Sequence, residues 1–101
     1  MHAYNVVRFR VKPGMEQAFI DGQRADTAPF QGFEGGALIK TGDRTYCFIG
    51  IWENFERIVA ARPAMIGMLD KVRSTLEDQG SGLGLTDPVS GEAVIEYPPS
   101  V

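Results

Sequence analysis

The chain has 101 residues, 44% of them hydrophobic and 23% charged, enough to bury one core and too few for two, so a single domain over residues 1–101 is expected. Its formal charge of −3 comes from mixed charges with no basic block, which argues against a phosphate-tracking surface and against nucleic acid as a partner. No stretch approaches the roughly 18 apolar residues of a membrane span, arginines at 8 and 10 break any signal-peptide pattern, and the lone Cys47 has no internal disulfide partner; no membrane association is expected and a cytoplasmic protein is the default.

In chain order, YNVVRFRV (residues 4–11) has the β-branched and aromatic content of a strand, closed by Pro13-Gly14. MEQAFIDGQRADTA (15–28) predicts a helix with a thin apolar stripe, ended by Pro29 and Gly32. Gly22 within it implies either close packing or a space beneath. FEGGALIKTGDRTYCFIGIW (33–52) predicts two strands joined by a tight turn at Gly42-Asp43. If Thr41 faces Arg44, then Ile39 pairs with Tyr46, Ala37 with Phe48, Gly35 with Gly50 and Phe33 with Trp52, all on one face. Two glycines and an alanine among those aromatic residues predict a shallow hollow with aromatic walls. The opposite face, Leu38, Cys47, Ile49 and Ile51, is aliphatic and asks for a cover.

Asn54 is a predicted N-cap for a helix that begins FERIVAAR and that Pro63 interrupts or kinks. The helical pattern resumes over 64–78, with Met65, Met68, Leu69, Val72 and Leu76 on one face. QGSGLGLTDPVSGE (79–92) reads as a glycine-rich connection and EAVIEY (92–97) as the last strand. The resulting order, strand, helix, strand, strand, helix, strand, is that of a ferredoxin-like α+β sandwich: one antiparallel four-stranded sheet with helices on one face.

The segments VVRFRVKPGMEQAF, GFEGGALIKTGDRTYCFIGIWEN and DKVRSTLED, taken in that order, resemble the antibiotic biosynthesis monooxygenase group of the dimeric α+β barrel superfamily over nearly the whole chain. The marks are a first strand ending in PG and an aromatic-rich third strand ending in Trp before a capped helix. The resemblance implies a homodimer whose sheets pack face to face, a cover for the aliphatic face, and a ligand cavity between the other face and the helices. Relatives that oxidise polycyclic phenols or degrade haem carry an asparagine on the first strand and a tryptophan matching Trp52; counted back from Pro13-Gly14, the match of Asn5 is approximate. The haem-degrading branch also uses a histidine on the later helix, which this sequence lacks.

Each candidate has an ordinary reading beside the functional one. Trp52 either walls an aromatic ligand or is a core tryptophan with its N–H bonded. The Asn5 amide either holds a substrate oxygen or pairs with backbone. Arg62 and Arg73 either orient an anionic substrate or are solvated helix residues. Tyr46 either donates into the hollow or is a half-buried strand residue. Phe33, Gly35, Ala37, Tyr46, Phe48 and Gly50 are the expected substrate-binding lining, with Asn5, Trp52, Arg62 and Arg73 as catalytic candidates. His2 and Cys47 make no metal-ligand cluster, and GSGLG does not open a helix, so no cofactor and no metal are expected.

Three functions fit. One is a cofactor-independent monooxygenase in which a small aromatic phenol or enol is deprotonated and itself reduces dioxygen. Another is a related barrel isomerase or dehydratase, which needs a general base the hollow does not obviously supply. The third is a non-catalytic ligand-binding or structural protein.

Overall fold

The computed structural model describes residues 1–25, 30–82 and 84–100. Its elements are β1 (Ala3–Arg10), α1 (Glu16–Ala25), β2 (Phe33–Gly42), β3 (Thr45–Trp52), α2 (Phe55–Val72), a 3₁₀ turn (Arg73–Thr75) and β4 (Thr86–Glu92). The strands form one antiparallel sheet in the order β2-β3-β1-β4, which is the expected ferredoxin-like α+β arrangement. Residues 26–28 of the expected first helix, and Pro29 after it, lie outside the described residues.

Local chemistry explains the boundaries. Asn54 caps α2, its side-chain oxygen accepting from the Arg57 amide at 3.0 Å, a bond worth about 1 kcal/mol. Pro63 does not interrupt this helix, which runs unbroken from Phe55 to Val72. The turn that loses a donor at Pro63 is on the wet side, where Val59 is exposed, so water can take the freed carbonyl. In α1, Gly22 packs directly on Val72, whose Cγ1 occupies the space a Cβ would need.

Two expectations about strands are corrected. The hairpin turns at Asp43-Arg44, with Arg44 in the left-handed region at φ 58°. The Arg44 guanidinium holds it there, donating to the Val11 carbonyl and to Glu77, each at 2.9 Å. Irregularities between Lys40 and Gly42 and between Phe33 and Gly35 shift the register, so that Lys40 pairs with Tyr46, Ile39 with Cys47, Leu38 with Phe48, Ala37 with Ile49, Gly36 with Gly50 and Gly35 with Ile51. Phe33 still faces Trp52, because each irregularity adds one residue to β2 and the two together make up the two-residue offset set by the turn at Asp43-Arg44. The last strand is TDPVSGE (86–92), not EAVIEY. Pro88 is tolerated because β4 is an edge strand with a single neighbour.

The segment after β4 continues past the sheet with Val94, Ile95 and Tyr97 exposed. It is tied down at residue 2: the Ala93 amide donates to the His2 carbonyl at 2.9 Å, and the His2 ring lies between Glu96 (3.0 Å) and Glu34 (2.8 Å).

The helices cover one face of the sheet. Its buried side chains fall into two clusters, Phe9, Val11, Phe19, Tyr46, Val72 and Leu76 towards one end and Ala3, Trp52, Ile58 and Ala61 towards the other. The opposite face carries Tyr4, Val6, Ile49 and Ile51, all half-buried, with Ile39 42% and Val89 62% exposed. Ile39 thus takes the place expected of Leu38, which the shifted register turns towards the helices. Among the described residues no helix is long and apolar enough to cross a membrane.

Candidate functional site

Between the two buried clusters lies a cavity of about 820 Å³, within the size range of sites for small organic ligands. Its floor is the sheet. Asn5 pairs across β1 and β3 with Gly50, which pairs in turn with Gly36 on β2, so beside the Asn5 side chain this row of the floor carries no side-chain volume on β3 and β2. Phe30, Phe33, Phe48 and Trp52 form an aromatic wall; Trp52 meets Phe33 edge-on at 5.1 Å between centroids, and Phe33 stacks near-parallel on Phe48 at 6.4 Å. The α2 side contributes Ile58, Met65, Met68 and Leu69.

Asn5 and Trp52 form the polar centre. Both are deeply buried, Asn5 at 5% exposure and Trp52 at 0%, and the indole Nε1–H donates to Asn5 Oδ1 at 2.7 Å. An indole nitrogen only donates, so the atom facing it must be the amide oxygen. The Asn5 Nδ2 is thereby turned towards α2, where its partner is the Met65 sulfur at 3.7 Å. A thioether is a weak acceptor, leaving a buried amide donor that a ligand oxygen can satisfy better. Gly50 makes this possible: a Cβ there would collide with Asn5 Oδ1 and crowd Trp52 Nε1. Trp52 is therefore a core residue with its N–H bonded and also part of the cavity wall.

Arg62 is the one charged side chain lining the cavity among the described residues. It reaches from α2 towards β4, where its Nη2 lies 3.5 Å from Ser90 Oγ, and its guanidinium sits 5.7 Å from the centre of the Phe55 ring. The other polar lining groups are Gln23, Thr86 and Ser90. No carboxylate or histidine lines the cavity among these residues, and none of their groups of His, Cys, Asp and Glu is arranged to hold a metal ion.

Of the expected lining, Phe33, Ala37 and Phe48 border the cavity; Ala37 does so although its register partner is Ile49. Gly35 pairs with Ile51 on the other side of the sheet, displaced by the bulge, and is not part of the lining. Gly50 is buried beneath the Asn5–Trp52 bond. Tyr46 does not donate into the hollow: its hydroxyl donates to Glu16 at 2.8 Å. Burial, then that bond, pushes the Tyr46 phenol up from its ordinary pKa, while the bond from Tyr46 and the neighbouring Lys40 hold the Glu16 carboxyl below its own. Arg73 is spent on Asp70 at 2.7 Å on the exposed surface and does not line the cavity.

Sequence reasoning missed Gln23, Phe30, Thr86, Pro88 and Ser90, and assigned Leu38 to the wrong face. The β4 residues were hidden because residues 79–92 read as a glycine-rich connection. Phe30 had a signal, an aromatic residue beside Phe33, with which it packs edge-on at 6.4 Å.

The chain is thus a four-stranded ferredoxin-like α+β protein with an aromatic-walled cavity between sheet and helices. No family model and no curated protein sequence matches it. Solved structures do match along its length. A Chloroflexus aurantiacus protein assigned as an antibiotic biosynthesis monooxygenase superposes with a TM-score of 0.71 at 13% identity, over 97% of this chain and 98% of that one. SnoaB, a cofactor-independent oxygenase from Streptomyces nogalater, superposes with a TM-score of 0.68 at 18% identity, over 97% and 98%. A Nitrosomonas europaea protein of unknown function gives 0.73 at 17% identity, over 99% and 96%. These are likenesses of fold, and the fold is the one the sequence resemblance implies.

Proposed function

We propose that the protein is a cofactor-independent oxygenase acting on a small aromatic phenol or enol, and that it works as a homodimer joined through the open sheet face. The observation that supports the chemistry is the buried Asn5 Nδ2–H, held towards the cavity by the Trp52 bond and met only by a thioether. Such a donor stabilises an oxyanion developing on a bound phenol, where the low-dielectric, aromatic-walled space makes the hydrogen bond count for more than in water. The ionised ring is then the reductant. A ring C–H and the phenolic O–H become two carbonyls, one oxygen atom of O₂ enters the ring, and the other leaves as water. The phenolic proton passes to solvent, since no described lining residue is a base. That same lack disfavours an isomerase or dehydratase, which needs one.

The test is oxygen uptake with an electron-rich polycyclic phenol. The wild-type protein accelerates uptake, and Asn5→Ala, folded by circular dichroism, lowers the rate roughly ten- to a thousandfold. Tight binding of the phenol with no uptake above background would place the protein among non-catalytic binders.

A further inference from the structure

We propose that a second recess, bordering the main cavity between α1 and β2, receives the carboxylate of a ligand whose aromatic body lies against Trp52. This rests on the phenol-binding reading of the main cavity and narrows its substrate class to phenols carrying an acidic arm. The recess has a volume of about 560 Å³ and is lined by Ile20, Gln23, Arg24, Leu38, Lys40 and Tyr46. Gln23 and Leu38 line both spaces, so the two share a border at these side chains. The Gln23 amide has no hydrogen-bond partner among the described residues, which leaves it available to a ligand that crosses that border.

The charged groups lining the recess are both cations. Lys40 is shared with Glu16, 3.1 Å away, which does not itself line the space. Arg24 makes no ion pair with the described residues. Its place in the last turn of α1 suits the negative end of the helix dipole and leaves its planar guanidinium for a second task. With Glu16 balancing Lys40, the recess carries about one unmatched positive charge. That fits a monoanionic carboxylate better than a doubly charged phosphate, and the guanidinium can hold a carboxylate through paired bonds.

The register sets the length of the ligand. Asn5 lies in the row of Gly50 and Gly36, whereas Lys40 lies in the row of Tyr46 and Phe9. From Asn5 to Phe9 along the strand is roughly 13 Å, the span of a fused two-ring phenol with a short carboxyalkyl arm. The floor between these ends, Val7, Phe48 and Leu38, is apolar and suits the body of such a molecule.

The experiment is a titration of Trp52 fluorescence with naphthol, with a hydroxynaphthyl butanoic acid, and with the methyl ester of that acid, each at low and high salt. The acid is expected to bind about tenfold more tightly than its ester, with the difference shrinking as salt rises. The acid-to-ester ratio should fall to near one in an Arg24→Gln, Lys40→Gln double variant and be partly kept in Arg24→Lys; near-ultraviolet circular dichroism confirms that each is folded. If naphthol and ester bind but the acid binds no better, or if the double variant keeps the preference, the recess is not an anion site and the phenol-binding reading stands. If none of the three binds, both readings fall.

Discussion

Trp52 and Asn5 determine each other's orientation: the indole N–H donates to the amide oxygen at 2.7 Å, and the amide nitrogen is thereby committed to the cavity side. Substituting one partner therefore tests the other. Trp52→Phe keeps an aromatic wall but leaves a buried acceptor without its donor, which costs about 1–3 kcal/mol in addition to the lost packing. Asn5→Leu should recover part of that loss in the Trp52→Phe background. A double-mutant cycle in urea that gave strict additivity would show the bond to be energetically idle.

Gly50 and Gly67 should respond oppositely to the same change. A methyl at Gly50 meets Asn5 Oδ1 and Trp52 Nε1, whereas one at Gly67 meets nothing within 4 Å. Gly50→Ala should cost about 1–3 kcal/mol and weaken phenol binding. Gly67→Ala, within α2, should stabilise by about 0.5–1 kcal/mol. Thermal denaturation of the pair checks both signs.

The open sheet face predicts assembly. Ile49 and Ile51 lie on the side away from the helices with Tyr4 and Val6, and a two-fold partner there should bury well over ~1,000 Å² in total. Light scattering is expected to give twice the mass of the 11.1 kDa chain, with Ile49→Asp dissociating it. A folded monomer at micromolar concentration would contradict the proposal. Leu38→Asp, by contrast, should damage the cavity without breaking the dimer.

Anchoring of the C-terminal segment should depend on pH. The hydrogen bond and charge of Glu96 raise the His2 pKa from its ordinary 6.5, and bonds from His2 lower that of Glu96 from 4.5. A raised histidine contributes fully below its unfolded value and loses the contribution as pH rises through the folded one; a lowered carboxylate contributes above its unfolded value and loses it as pH falls through the folded one. The tie should therefore be tightest between pH 4.5 and 6.5. Amide exchange over residues 93–97, corrected for intrinsic pH dependence, should show a maximum of protection there, and His2→Gln should flatten it.

Much of this architecture can be read in the residues. Pro13-Gly14 after an alternating strand, the Asn54 cap and the aromatic third strand lead to the correct element order, while the bond between Asn5 and Trp52 was not among the readings of either residue. What failed did so for two physical reasons. Side chains alternate with a period of two along a strand, so the single extra residue near Thr41 turns Leu38 to the cavity face and pairs Ala37 with Ile49 and Gly35 with Ile51. The energy of a strand also depends on its neighbours, so TDPVSGE can pair as an edge although its proline reads as a breaker, and AVIEY can stay outside the sheet although its composition reads as a strand. The Tyr46 hydroxyl's choice of Glu16 depends on a contact between distant segments that no local pattern carries.

The bulges in β2 and the proline in β4 share a further consequence, since these two strands are the margins of the sheet. Each presents an interrupted row of backbone donors, a poor template for another chain's strand. Growth by strand addition, which would propagate into fibres, is therefore hindered at both margins, while the apolar face stays open to an association that closes on itself after two copies. Pro88→Val would restore a donor at one margin, and the protein would be expected to lose solubility through fibrous aggregation before it lost its fold.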